Sequence, residues 1–179
     1  MSIFGNDYHQ GTFYPKFPQK CLNYNGKMTF QVNGSTTNQK PITFRSSWEQ
    51  KVCNFCDTKV NVLEWGSEIY TIDYLNECDG QKHKYVTDFY IKVKTKNNEI
   101  ISFIVEVKPA CQMERFDSLG RLLMPDPPKR KTQKSIATWQ ELCETVRKNH
   151  SKWNYAREWC KHRGYKFIVL NEDNIGIIQ

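Results

Sequence analysis

The chain has 179 residues and a formal net charge of +7, and its hydrophobic content of 39% is enough for one well-buried domain. No apolar run approaches the ~20 residues of a membrane span, and the opening MSIFGNDYHQ lacks the charged-then-apolar order of a secretion leader, so a membrane protein and an exported one are both excluded as expectations. Seven cysteines, an odd number, then point to free thiols in a reducing compartment, and the positive surplus points to a polyanionic partner, nucleic acid or a membrane surface.

Residues 1–40 are rich in Gly, Asn, Pro and Lys without a sustained period, which predicts an extended N-terminal arm lying on a body or a partner; residues 41–179 form the domain. Ser46 followed by Glu49 has the spacing of a capping box, and Trp48, Val52, Phe55 and Cys56 recur at helical spacing, so a first helix of about three turns starts there. EWGSEIYTIDYL reads as one strand, and HKYVTDFYIKVKTKNNEIISFIVEVK as two strands turning at Asn97-Asn98. Residues 109–133, with four prolines and the run Lys129-Arg130-Lys131, predict a long basic loop, of the kind that is usually functional or mobile. A helix from Ser135, a second helix after KNHS stopped at Gly164, and a final strand YKFIVL complete an α/β fold whose mixed central sheet is covered by helices.

The stretch SFIVEVKPACQ places a carboxylate and an ammonium in what otherwise reads as an interior strand. Alternation of side chains turns Glu106 and Lys108 to one face, with Phe103, Val105 and Val107 on the other. A hairpin at Asn97-Asn98 sets Asp88 nearly opposite Val107 and diagonal to Glu106, within the ~7–8 Å of cross-strand neighbours. Two carboxylates that close repel unless they share a proton or a cation. Hard oxygen ligands suit Mg²⁺ or Mn²⁺, and a lysine beside the ion would stabilise phosphoryl charge or take a proton from water. The pattern therefore points to metal-assisted phosphodiester hydrolysis. The plain alternative is a surface salt-bridge cluster, and the apolar run around Glu106 argues against it.

Asp88, then Glu106-Val107-Lys108, resembles the signature of the PD-(D/E)XK nuclease superfamily, with Thr87-Asp88 in place of its Pro-Asp pair. ITFRSSWE, EWGSE, YTIDYLNECDGQKHKYVTDF, VEVKPACQ, PPKRKTQK, KWNYAREWCKHRGYKF and LNEDNIG, in that order, resemble the head-completion nucleases of large contractile-tailed bacteriophages, close to the endonuclease half of a Tn7-type transposase, with insertions near 26–40 and 113–124. The resemblance implies a restriction-endonuclease-like fold. It implies Asp88 and Glu106 as metal ligands with the Val107 carbonyl, Glu49 as an acidic residue on the helix that positions metal-bound water, Lys108 as transition-state cation or base, and Gln112 as an orienting group. It also implies DNA as substrate, phage head, portal or neck proteins as partners, and a place in the host cytoplasm during assembly or in the virion head or neck. A structural neck protein and a branched-DNA or transposon-end nuclease stay open.

Other residues carry two readings each. Glu49 is explained by capping alone, and Glu68 by solvent at a strand end. Cys53, Cys56, Cys78 and His83 have zinc-ligand chemistry, yet thiols inside an amphipathic helix are expected to pack as small hydrophobes. Lys129, Arg130, Lys131, Lys152, Arg157, Lys161 and Arg163 are expected on solvated basic surfaces that contact DNA phosphates, with Trp153 and Trp159 in the core.

Overall fold

The computed structural model describes residues 9–175. The first eight residues, included in the leader and arm readings, lie outside the described residues. From there the N-terminal segment runs through β1 (Gly11–Phe13), which pairs antiparallel with β4 (Ile42–Phe44), and through a small ribbon of β2 (Phe30–Val32) and β3 (Ser35–Thr37). It does more than lie on the body. Cys21, Leu22 and Asn23 are buried, and the Leu22 N–H donates to the Trp65 carbonyl at 2.8 Å. The Asn23 amide donates to the Ser67 carbonyl at 2.9 Å and accepts from the Ser67 N–H at 2.8 Å. Buried backbone groups must be paired, and the segment supplies those partners.

Ser46 caps α1 (Ser47–Thr58), accepting from the Glu49 N–H at 3.1 Å. The main sheet consists of β5 (Val62–Ser67), β8 (Phe89–Lys94), β9 (Ile100–Val107) and β10 (Lys166–Leu170), in the order β10-β9-β8-β5, with only β10 parallel to its neighbour. Strand alternation gives it two apolar faces. Trp65, Phe89, Ile91, Val105 and Val107 pack with Val52, Cys53 and Cys56 of α1. Tyr90 and Ile104 face the other way, toward α2 (Gln133–Lys161) and the antiparallel ribbon of β6 (Thr71–Asn76) and β7 (Gln81–Val86), where Ile72, Tyr74 and Tyr85 meet Ala156. Mixed strands between helices match the expected restriction-endonuclease-like α/β class.

Three expected elements are corrected. EWGSEIYTIDYL is not one strand: it breaks between β5 and β6 at Glu68, whose φ of +52° is left-handed, and the two halves join different sheets. The following stretch holds three strands rather than two, because the chain leaves the ribbon at Thr87 and enters the main sheet at Phe89. The breaks meet where the Glu68 N–H donates to the Asp88 carbonyl at 3.1 Å and the Thr87 N–H to the Tyr70 carbonyl at 3.0 Å. Apolar alternation runs on through both breaks since every segment is half buried. The two C-terminal helices are one 29-residue helix, α2. Asn149 and Ser151, which made KNHS look like a loop, are buried polar residues with tertiary partners: Asn149 donates to the Gln112 carbonyl at 3.2 Å, and Ser151 Oγ accepts from the Glu77 N–H at 3.2 Å.

Asn23→Ala is expected to destabilise the protein by ~2–4 kcal/mol, since it leaves two buried backbone groups unpaired. Urea unfolding monitored by tryptophan fluorescence measures it, and a loss under ~0.5 kcal/mol, the range of ordinary surface substitutions, would show the segment to be merely laid on the sheet.

Candidate active site

The hairpin register pairs Phe89 with Val105, which carries Asp88 to a position beside Glu106, one residue off the pairing with Val107 expected from the turn. The ladder ends there. The Val107 N–H donates instead to the Asp88 Oδ2 at 2.8 Å, so a side chain takes the place of the next strand bond. The Lys108 N–H is held by the Leu170 carbonyl of β10 at 2.9 Å, and its ammonium turns back over the strand. Lys108 Nζ lies 3.0 Å from Glu106 Oε1, 3.2 Å from the Val107 carbonyl oxygen and 3.6 Å from Asp88 Oδ2. The other oxygen of Glu106, Oε2, accepts from the Tyr85 hydroxyl at 2.5 Å.

Glu106 is 1% exposed, whereas the Asp88 and Lys108 side chains are about a quarter exposed, at 24% and 26%. The site is therefore open on the Asp88–Lys108 side and closed behind Glu106. Burial, and then the nearby charge of Glu106, push the Asp88 carboxyl up to about 7 against the opposing pull of Lys108 and the Val107 N–H. For Lys108 burial disfavours the charge, but Asp88 and Glu106 outweigh it and hold the ammonium above its ordinary range. Two carboxylates share one ammonium, so their full ionisation leaves a net negative site.

Three oxygens, from Asp88, Glu106 and the Val107 carbonyl, already gather round a cation, that of Lys108. They are hard donors of the kind Mg²⁺ and Mn²⁺ take, so the residues fit such an ion. No group of three or more His, Cys, Asp or Glu side chains gathers into a metal cluster among the described residues. Cys53 and Cys56 are buried in α1 with burial raising both thiols, and His83 bonds Asp79 at 2.8 Å.

Glu49 is reached by the site's field rather than by contact. Burial foremost, and also the charge of Asp88, raise its carboxyl, while its oxygens accept from the Arg45 N–H at 2.8 Å and the Ser46 hydroxyl at 3.2 Å. Glu68 pairs with Arg45 and, at 3.3 Å, with Lys40; burial works to raise its carboxyl, and the two cations outweigh it and hold it below the usual range. Gln112 ends a 3₁₀ turn (Ala110–Gln112) that begins directly after Pro109, its carbonyl tied to Asn149.

The basic residues have different surroundings. Lys129, Arg130 and Lys131 are exposed just before α2. Lys152 turns inward, its ammonium 5.6 Å from the centre of the Tyr85 ring, and burial lowers its affinity for a proton although Glu106 and Asp88 favour the charge. Arg157 is engaged by Glu114, Lys161 is exposed beside Glu158 at 4.0 Å, and Arg163 stacks on the Trp159 ring at 3.8 Å. Tyr85, Arg45 and Lys40 escaped the sequence reading. Tyr85 stands three residues before Asp88, but on a strand whose existence the apolar pattern hid. A surface hollow lined by Val60, Leu63, Val93 and Lys96 lies at the opposite end of β8 and holds none of these groups.

A mixed sheet between helices, with an acid pair and a lysine where β8 begins and β9 ends, is the arrangement of a restriction-endonuclease-like nuclease. The family described as TnsA-like endonuclease N terminal matches residues 59–172, and the chain belongs to that family. Asp88, Glu106, Lys108 and Gln112 fall inside the matched segment, and Glu49 precedes it. The chain is also 29% identical over 136 residues to the head completion nuclease of Enterobacteria phage T4, covering 76% of this chain and 82% of that protein.

The raised Asp88 carboxyl sets a pH dependence. Its folded value of about 7 exceeds the ~3.9 of an unfolded aspartate, so its contribution to stability is complete below ~4 and is lost as pH rises toward 7. Metal-free wild type is expected to lose melting temperature between pH 5 and pH 8, and Asp88→Asn to lose less over the same interval. Parallel melting curves for the two proteins across that range would contradict the raised value.

Proposed function

We propose that this protein is a metal-dependent endodeoxyribonuclease that completes the head of a large contractile-tailed bacteriophage, processing the packaged DNA end before the tail joins. The observation that carries the chemistry is the gathering of Asp88, Glu106 and the Val107 carbonyl round the Lys108 ammonium. The biological setting is supported by the relative named a head completion nuclease, and the reaction class by membership of the endonuclease family.

Asp88, Glu106 and the Val107 carbonyl would hold Mg²⁺ or Mn²⁺, which supplies Lewis-acid polarisation of the phosphate when bound. Lys108 keeps its proton beside two carboxylates, which favours the role of a cation facing phosphoryl charge over that of a base. Glu49 would position metal-bound water from α1, and Gln112 would orient water or phosphate from the turn after Lys108. Exposed Lys129, Arg130, Lys131 and Lys161 contact the DNA backbone, with Lys152 nearer the acid pair and Arg157 reaching phosphate only by leaving Glu114. Such contacts favour binding with little base preference. The N-terminal segment and the loop after Gln112 are docking elements for head, portal or neck proteins, so the protein works in the host cytoplasm during assembly and then at the head or neck of the virion.

Purified protein is expected to nick or cut DNA with Mg²⁺ or Mn²⁺, and to stop when the metal is chelated. Lys108→Ala should lower the cleavage rate by ~10²-fold or more, measured on protein that circular dichroism shows to be folded. A panel of labelled linear, flap, hairpin and four-way-junction DNAs tests both statements. Equal cutting by wild type and Lys108→Ala removes Lys108 from the reaction. Absence of cutting on every substrate, together with full infectivity of Glu106→Ala phage, makes the protein a structural neck component instead.

A further inference from the structure

Glu106 is supported from two directions that come from different parts of the fold. Lys108, on its own strand, takes Oε1; Tyr85, on β7 of the separate ribbon, donates to Oε2. The phenol ring is 3% exposed and packs with Ile72, Tyr74 and Ala156, and the Lys152 ammonium stands over its face. The ring is confined by that packing. Thr87, between Tyr85 and Asp88, is fully buried, and its N–H is held by the Tyr70 carbonyl at 3.0 Å, so Tyr85 and Asp88 leave the ribbon as one fixed segment.

We propose that Tyr85 is a positioning residue that holds Glu106 in one rotamer, with Oε1 turned toward Asp88 and the Val107 carbonyl. The reason is geometric. A terminal carboxylate torsion is broad, so without an anchor on Oε2 the plane of the group would swing about its bond instead of holding one oxygen toward the open side. A buried carboxylate must also be satisfied on both oxygens. A neutral hydroxyl does this without a second positive charge, leaving the negative site attractive to a cation. Partners that orient a metal-binding carboxylate typically change metal affinity ~10–100-fold when removed.

This inference rests on the reading of Asp88 and Glu106 as metal ligands, and the test separates the two. Metal-free wild type, Tyr85→Phe, Glu106→Gln and the double variant are titrated with Mn²⁺ by calorimetry, with circular dichroism and melting temperature checking the fold. Phe keeps the ring in its cluster. In the Glu106→Gln background no buried charge is left unpaired, so folded proteins are compared there as well. Tyr85→Phe is expected to weaken Mn²⁺ binding ~10–100-fold and to lower kcat with little change in KM for DNA. In the Glu106→Gln background, removing the hydroxyl should change Mn²⁺ affinity no further. Unchanged Mn²⁺ affinity in folded Tyr85→Phe, or the same loss in both backgrounds, overturns the positioning role while leaving the metal reading intact. A wild type that binds no Mn²⁺ overturns the metal reading, and the role of Tyr85 with it.

Discussion

A carboxylate buried to 1% exposure, with one ammonium on one oxygen and one phenol on the other, is the constraint around which the candidate site of this protein is arranged. Removing the ammonium from such a group would leave a buried charge without its counter-charge, and removing the phenol would leave one oxygen without a donor. Three elements are therefore tied together at one point. The end of β9 contributes Glu106 and Lys108, the start of β8 brings Asp88, and β7 lends Tyr85 from outside the sheet. Rigid support of this kind lets a polar site act on developing charge without first reorganising.

The chain crossing beside this point has the same logic. Glu68 and Asp88 sit where the polypeptide passes from the main sheet to the β6–β7 ribbon and back, joined by a backbone hydrogen bond. The main-chain ladder stops one residue short of Glu106, and that interruption frees the Asp88 carboxylate and the Val107 carbonyl to face a cation. A continuous ladder would have consumed the N–H and the carbonyl of Val107 in backbone pairing. Glu68 tolerates left-handed backbone there, and its carboxylate gathers Arg45 and Lys40 beside the acidic pair.

Positive charge is distributed unequally around the site. Lys152 is drawn in against Tyr85, while Arg157 is committed to Glu114, which also bonds His150 at 2.9 Å and fastens the loop after Gln112 to α2. The basic helix face that looks uniform in sequence therefore divides into one residue near the carboxylates, one in a structural ion pair and others in solvent. Ion-pair choice depends on which acidic groups the loops bring over, a tertiary matter.

Asp88, Glu106 and Lys108 were legible as a group because alternation along a strand and the register of a short hairpin are local properties, governed by backbone geometry and a nearby turn. The capped first helix, the apolar faces of β9 and the final strand were legible for the same reason, and the ordered motifs carried the nuclease family. The broken strand at Glu68, the extra strand ending at Val86 and the unbroken α2 were not. In each case burial by a distant segment either extended an apolar pattern across a turn or satisfied a polar residue inside a helix. Tyr85 belongs with these: only the packing of a second sheet against α2 brings a phenol from β7 to the oxygen that Lys108 leaves free.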